Sequence, residues 1–101
     1  MATTSKVLYR GAASTTTTTL LYTVPSSTTT VVTDIIVANT AASSGTFTIY
    51  LDNVIIANTI TIAANDSVVI PIKQVLATTK TIQGGASATT INFSISGVEI
   101  V

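Results

Sequence analysis

The sequence predicts an all-β protein, an antiparallel β-sandwich of about seven or eight short strands with an Ig-like or a jelly-roll topology. The chain is rich in threonine and in β-branched aliphatic residues, which favour strands over helices. Several runs alternate apolar and polar residues with the period of two expected of a half-buried strand. Turn signals recur roughly every 8–12 residues, a spacing that is typical of sandwiches and barrels.

An early strand is predicted to end at Pro25. Later runs have one apolar side each, and the residues expected to face the core are Phe47, Ile49 and Leu51, then Val68, Ile70 and Ile72, then Ile91, Phe93 and Ile95. Pro71 lacks a backbone N–H, so its strand is expected at the edge of a sheet. Residues 73–77 do not alternate and are predicted to form a short helical turn.

Four connections are predicted between these strands. Asp52 and Asn53 form a two-residue hairpin loop, because both residue types tolerate positive φ. The polar segment 64–67 and the small-residue segment 41–45 are two more turns. Gly84 and Gly85 lack the following Lys and helix of a phosphate-binding loop, so residues 83–87 are assigned to a fourth turn.

Residues 1–19 differ from the rest and are predicted to form an N-terminal arm, with the sandwich occupying residues 20–101. Lys6 to Arg10 has the character of a short strand, and Ser14 to Thr19 is of low complexity. A polar arm is mobile unless something holds it. We expect it to dock either on the domain's own sheet or on a neighbouring subunit.

The composition offers little for catalysis or cofactor binding. The chain has no His and no Cys, so the common general bases, thiol nucleophiles and thiolate metal ligands are missing. We therefore predict a non-enzymatic protein without a cofactor. Asp52 and Asp66 are expected to bond their own turns. The alternative is a calcium site made from Asp52, Asn53, Asn65 and Asp66, which requires both turns at the same end of the fold.

Nucleic acid and membrane partners are also disfavoured. Four cations are matched by four acids, whereas nucleic acid binding needs clustered cations. A membrane-spanning helix needs about twenty apolar residues, far more than the short aliphatic runs present here. The absence of Cys fits folding in a reducing cytoplasm. A net charge of zero indicates ordered self-association, because nothing repels identical copies.

Some strands are apolar on both faces. Val31, Ile35 and Val37 alternate with Val32, Ile36 and Ala38, and the run 54–57 is equally two-sided. A domain of this size has one core, so roughly a few hundred Å² of apolar surface is left outside, favouring burial by several kcal/mol at about 25 cal/mol per Å². We expect this surface to dock on another protein, unless the arm covers it or single exposed residues are tolerated. The predicted contact residues are Lys6, Leu8, Tyr9 and Arg10 on the arm, and Val32, Ile36 and Val69 on the sheet.

Four segments carry a resemblance to a protein family: Leu21–Pro25, Ile36–Thr40, Lys73–Leu76 and Ile95–Ile100. In these segments the chain resembles small Thr-rich β-sandwich proteins encoded among the virion structural genes of tailed bacteriophages. The resemblance implies a virion component that is made in the host cytoplasm, associates with the major capsid protein or with tail proteins, and forms a homo-oligomer. It carries over no catalytic residue.

The preferred role is that of a capsid decoration or cement protein. A tail or fibre accessory module is the alternative, and the two differ in whether the arm crosses neighbouring subunits or the chain forms a parallel trimer. A host-surface or carbohydrate-binding sandwich is a further alternative. Sugar binding favours exposed aromatic platforms, but the chain has no Trp and offers Tyr9, Tyr22 and Tyr50.

Overall fold

The computed structural model describes residues 2–101, which form eight β-strands in two four-stranded antiparallel sheets. The strands are β1 (Thr3–Ala12), β2 (Leu20–Thr23), β3 (Thr29–Asn39), β4 (Gly45–Leu51), β5 (Val54–Ile62), β6 (Ser67–Leu76), β7 (Thr81–Ala86) and β8 (Ile91–Ile100). The predicted antiparallel sandwich is confirmed. Residues 2–101 contain no helix of the length and hydrophobicity needed to cross a membrane.

The strand order identifies the sandwich as a jelly roll. The first sheet has the order β1-β8-β3-β6 and the second has the order β2-β7-β4-β5. The first and last strands are therefore hydrogen-bonded neighbours within one sheet. In a constant-type Ig domain they lie in different sheets, whereas eight strands in two four-stranded sheets are the jelly-roll arrangement.

The core lies between the sheets and is built from the alternating residues of β4 and β8. Phe47, Ile49 and Leu51 are buried from one sheet and Ile91, Phe93 and Ile95 from the other, as predicted. The rings of Phe47 and Phe93 meet edge to face, with centroids 6.3 Å apart and an interplanar angle of 73°. Val68, Ile70 and Ile72 face the same core but stay half-exposed. Their strand lies at the edge of its sheet, as Pro71 predicted.

Turn chemistry positions the hairpins. Asp52 and Asn53 have φ values of 54° and 61°, so the β4–β5 loop is the two-residue hairpin expected from sequence. Asn65, with φ of 54°, makes the turn from β5 to β6. In that turn the carboxylate of Asp66 accepts a hydrogen bond from the N–H of Ser67 (2.8 Å).

Two predicted turns are instead strands. Residues 73–76 belong to β6, where Val75 pairs with Val31 and Leu76 with Thr30. Lys73, Gln74 and Val75 are all exposed because β6 is an edge strand, which removes the alternation that a buried strand would show. The Gly84–Gly85 pair lies within β7 and is buried.

The N-terminal segment is part of the sandwich. β1 pairs with β8 from Thr3 opposite Ile100 to Ala12 opposite Asn92, so the sandwich begins at Thr3 and not at residue 20. The connection from β1 to β2 then runs along β7. The N–H of Ala86 donates to the carbonyl of Ser14 (2.8 Å) and the N–H of Gly84 to that of Thr19 (3.0 Å). The low-complexity segment is thus held by main-chain hydrogen bonds that do not depend on its side chains.

Candidate interaction surfaces

Three of the predicted contact residues lie in one row across the exposed side of the first sheet. Arg10 on β1 is opposite Ser94 on β8, Ser94 is opposite Ile36 on β3, and Ile36 is opposite Val69 on β6. The Nε of Arg10 donates to the Oγ of Ser94 (3.1 Å). Ile36 and Val69 are 38% and 60% exposed. The structure therefore brings these three residues, which are distant in sequence, onto one surface.

Two neighbouring rows enlarge this surface. One runs through Val7, Ser96, Asp34 and Pro71, and the next through Ser5, Val98, Val31 and Val75. Val7 and Val75 are exposed, while Val31 and Val98 are half-exposed. We call these three rows the outer face. It is largely apolar, and Arg10 and Asp34 add one charge of each sign.

Two other predicted contact residues are in the core. Val32 is fully buried and Leu8 is 7% exposed, so the prediction that they face a partner is wrong. The cause is a β-bulge in each strand. Relative to β8, Thr33 is an extra residue between Val32 and Asp34, and Leu8 is an extra residue between Val7 and Tyr9. A bulge shifts the inside–outside alternation by one residue, so counting by twos across it assigns the wrong face.

The remaining two, Lys6 and Tyr9, bond within the chain at the β1 edge. The Nζ of Lys6 lies 3.3 Å from the carboxylate of Glu99. The hydroxyl of Tyr9 donates to the carbonyl of Ala12 (2.8 Å), and its ring packs against the core. Both side chains therefore have partners within the first sheet, whereas Ile36 and Val69 face solvent.

Glu99 is the centre of a polar network that joins the two sheets at this closed edge. Its carboxylate accepts a short hydrogen bond from the hydroxyl of Tyr22, which belongs to the second sheet. The Tyr22 oxygen also lies 2.9 Å from the Oγ1 of Thr30, which is fully buried. The bond from Tyr22, and secondarily the ammonium of Lys6, lowers the pKa of Glu99. Burial, reinforced by the bond to Glu99, raises the pKa of Tyr22 from 10.0 to about 12.

This network predicts a loss of stability at both ends of the pH range. Because folding lowers the pKa of Glu99, its contribution is present above the ordinary value of 4.5 and is lost as the pH falls through the folded-state value. Because folding raises the pKa of Tyr22, its contribution is present below 10.0 and is lost as the pH rises towards about 12. Urea unfolding across the pH range measures both losses, which we call the acid and the alkaline limb of the stability curve.

The matched variants are Tyr22→Phe and Tyr50→Phe. Tyr22→Phe is expected to reduce the free energy of unfolding at neutral pH by about 1–3 kcal/mol, because Glu99 loses a donor, and to flatten the alkaline limb. Tyr50→Phe leaves the Tyr22–Glu99 contact in place and is expected to retain both limbs. An alkaline limb of unchanged steepness in Tyr22→Phe would contradict this account of the network.

The opposite edge of the sandwich is open and apolar. Between β5 and β6 lies a groove of about 480 Å³, lined by Phe47, Ile56, Ala57, Ile60, Val68, Ile70, Ile72 and Gln74; we call it the edge groove. β5 and β6 are the terminal strands of their sheets on this side and belong to different sheets. The side chains that face inward there have no further strand beside them and remain accessible.

Sequence reasoning identified the source of this groove but not its residues. The two-sided apolar run 54–57 indicated surplus hydrophobic surface. β5 has an extra residue relative to β4 at Ile56 and another at residues 58–59. Thr59 has φ of 50°, and its N–H donates to the Oγ1 of Thr48 (3.1 Å). These bulges leave Ile56 and Ile60 at the rim of the groove, where they are 44% and 43% exposed. Alternation within the sequence does not reveal such bulges.

The structure contradicts the calcium alternative. Asp52 and Asn53 precede β5, whereas Asn65 and Asp66 follow it, and this nine-residue strand is about 30 Å long. The two turns are therefore at opposite ends of the fold. Within residues 2–101, no group of three or more acidic, His or Cys side chains is placed to hold a metal ion.

No protein-family model matches the chain, and no curated protein matches it. Among solved structures, a chain in the crystal structure of the T13 IBDV viral particle has a similar fold, with a TM-score of 0.56 and 14% identity over 97% of this chain and 30% of that one. Two crystal structures of a pentameric capsid protein isolated from metagenomic phage sequences give TM-scores of 0.43 and 0.41, with 16% and 17% identity. They cover 94% of this chain and 59% and 60% of those chains. The chain thus spans less than two thirds of each of these proteins, and its similarity to the viral-particle chain is one of fold.

Proposed function

We propose that this chain is a non-enzymatic structural protein of a bacteriophage virion, and specifically a capsid decoration protein that docks on the major capsid protein. The jelly-roll topology and the fold similarity to a chain of a viral particle support a virion role. The resemblance in four segments to small virion proteins of tailed phages supports the bacteriophage assignment.

The observation that carries the proposal is the outer face. An exposed face of an antiparallel sandwich is normally polar, yet Val7, Ile36, Val69 and Val75 are between 38% and 67% exposed on this one. Their exposed area is roughly 300 Å², which at about 25 cal/mol per Å² favours burial by about 7 kcal/mol. Arg10 and Asp34 provide a charge of each sign, which fixes orientation more than it adds affinity.

This magnitude fits a protein that acts in many copies. Association costs about 4–15 kcal/mol in lost freedom of motion, so the outer face of a single copy is expected to bind weakly. Binding becomes strong when linked copies engage a repeating surface, because the second contact is then intramolecular. A capsid shell presents such a surface, which is why we prefer the shell to the tail as the site of docking.

The location of the chain in the particle tests the proposal. Antibody raised against the purified chain is applied to purified particles of the phage that encodes it, and the label is located by electron microscopy. We expect label distributed over the shell. Label confined to the tail would support the tail or fibre alternative and reject decoration, and its absence from intact particles would reject a virion role altogether.

The binding surface is tested separately by adding the purified chain to shells that lack it. Ile36→Lys is expected to weaken binding at least about tenfold, since it places a charge in an apolar contact. Leu20→Lys is the matched control, because Leu20 is 57% exposed but lies on β2 in the other sheet. Equal binding by both variants would show that the outer face is not the docking surface.

Glycan binding has less support in the geometry. The rings of Tyr9 and Tyr22 are packed against the core, and their hydroxyls bond within the chain. Tyr50, on β4, is half-buried. These three rings do not form a common platform, and we expect the purified chain to give no signal on a glycan array.

A further inference from the structure

We propose that the edge groove is the contact through which two copies of this chain associate about a two-fold axis. This contact is separate from the outer face and does not depend on the chain's being a decoration protein. β5, which forms one side of the groove, has no charged residue among its nine positions. Apart from Gln74, the lining is aliphatic or aromatic.

The groove has the two features that a self-complementary contact needs. Ile56 and Ile60 project at its rim, while Phe47, Ala57 and Ile70 form its floor and far side. Each copy therefore carries both a ridge and a depression on one patch. A two-fold axis brings the same patch of both copies together, so the ridge of each is available to fill the depression of the other.

The polar contacts at the β1 edge disfavour the head-to-tail alternative, in which the edge groove of one copy meets the β1 edge of the next. A head-to-tail contact would cover the Lys6–Glu99 ion pair with an apolar groove, and removing that pair from water costs affinity. The β1 edge is also already closed by the bonds among Lys6, Glu99 and Tyr22.

The backbone of β5 favours contact through side chains over continuation of the sheet. Its two bulges interrupt the regular row of N–H and C=O groups that another strand would need. The N–H of Thr59 is already donated to Thr48. Association by side-chain packing ends at two copies, whereas free edge pairing extends into aggregates.

The available area is enough for a weak dimer. The groove edge is about 30 Å long, from the rise of a nine-residue strand, and the molecule is 18–21 Å across. This gives roughly 500 Å² per copy and roughly 1,000 Å² in total, which is about the minimum for a specific interface. We therefore expect a dimer that dissociates on dilution.

Sedimentation velocity over a dilution series tests this proposal. The unmodified chain is expected to shift from dimer to monomer between about 500 and 5 μM, as a small interface implies. Ile60→Lys is expected to be monomeric at the highest concentration, and Leu20→Lys, on the opposite edge, to dimerise normally. A monomer throughout the series, an odd-numbered oligomer, or an Ile60→Lys dimer of unchanged affinity would overturn the proposal.

A second measurement leaves the groove intact in case Ile60→Lys does not fold. The chain has no Cys, so a spin label attached to N58C is the sole label on each copy. Asn58 is exposed on β5, and a two-fold contact there places the two labels within about 30 Å, the length of that strand. A label on T18C lies in the loop beside β7, on the far side of the sheet from β5. It is expected to be at least about 40 Å from its counterpart, which is twice the width of one molecule. The reverse order of distances would assign the contact to the other edge.

Failure of this proposal and failure of the docking proposal are distinguishable. Loss of dimers in Ile60→Lys with shell binding retained assigns the edge groove to self-association alone. Loss of dimers in Ile36→Lys, with Ile60→Lys still dimeric, would place self-association on the outer face and overturn the groove contact.

Discussion

Gly85→Ala is expected to destabilise the fold by about 3 kcal/mol, which for a domain of this size lowers Tm by roughly 12–24 °C. A methyl group on Gly85 would overlap the carbonyl oxygen of Thr16 and lie 2.7 Å from the carbonyl carbon of that residue. It would also lie 2.8 Å from the carbonyl oxygen of Ser14. These are backbone atoms, fixed by the bonds that hold the β1–β2 connection along β7, so they cannot rotate aside as a side chain would.

Gly45→Ala is the matched control for this prediction. A methyl group on Gly45 would lie 2.8 Å from the end of the Ile91 side chain and 3.0 Å from the Oγ of Ser87, and side-chain atoms shift more easily than a backbone carbonyl does. We expect a loss of about 1 kcal/mol or less, measured by urea unfolding beside Gly85→Ala. If the two variants were equally stable, the close approach of the β1–β2 connection to β7 would be refuted.

The Gly84–Gly85 pair shows where local sequence signals stop being informative. Two adjacent glycines normally indicate a turn, and that is how the sequence was interpreted. Gly85 instead admits the backbone of residues 14–16, which is about seventy positions earlier in the chain, and Gly84 admits the carbonyl of Thr48 on β4. A glycine inside a strand can mark the close approach of another backbone, but the segment that approaches is set by the topology.

The parts of the fold that sequence predicted well depend on neighbours in the chain. The core faces of β4 and β8 follow from alternation within one strand, and the Asp52–Asn53 hairpin follows from the conformational preferences of two residues. The choice between jelly-roll and Ig-like topology was left open, because it rests on the pairing of β1 with β8, which joins the two ends of the chain.

The candidate surfaces were predicted in part for the same reason. Surplus apolar surface was expected, and Arg10, Ile36 and Val69 do lie together on the outer face. The edge groove was not located from sequence, because it exists only where two strands of different sheets end side by side. The run 54–57 showed that hydrophobic surface was left over without showing where it would lie.

Val32→Lys is expected to abolish folding and Ile36→Lys to leave stability nearly unchanged, although both residues are apolar, lie on β3 and are four positions apart. Val32 is fully buried, so Val32→Lys places an ammonium in the core with no acid to pair with it. The penalty is several kcal/mol, comparable with the whole stability of a domain of this size, and we expect the variant to be unfolded or insoluble. Ile36 is 38% exposed, so Ile36→Lys is expected to change the free energy of unfolding by less than about 1 kcal/mol.

Circular dichroism and urea unfolding of the two purified variants decide this prediction. The result depends on the bulge at Thr33 relative to β8, since without an extra residue Val32 and Ile36 would share one face and the two variants would behave alike. Two folded variants, or two unfolded ones, would therefore reject the bulge. A folded Ile36→Lys beside an unfolded Val32→Lys would fix the face of β3 and make Ile36→Lys a clean probe of docking, because any loss of binding to shells would then reflect the contact and not the fold.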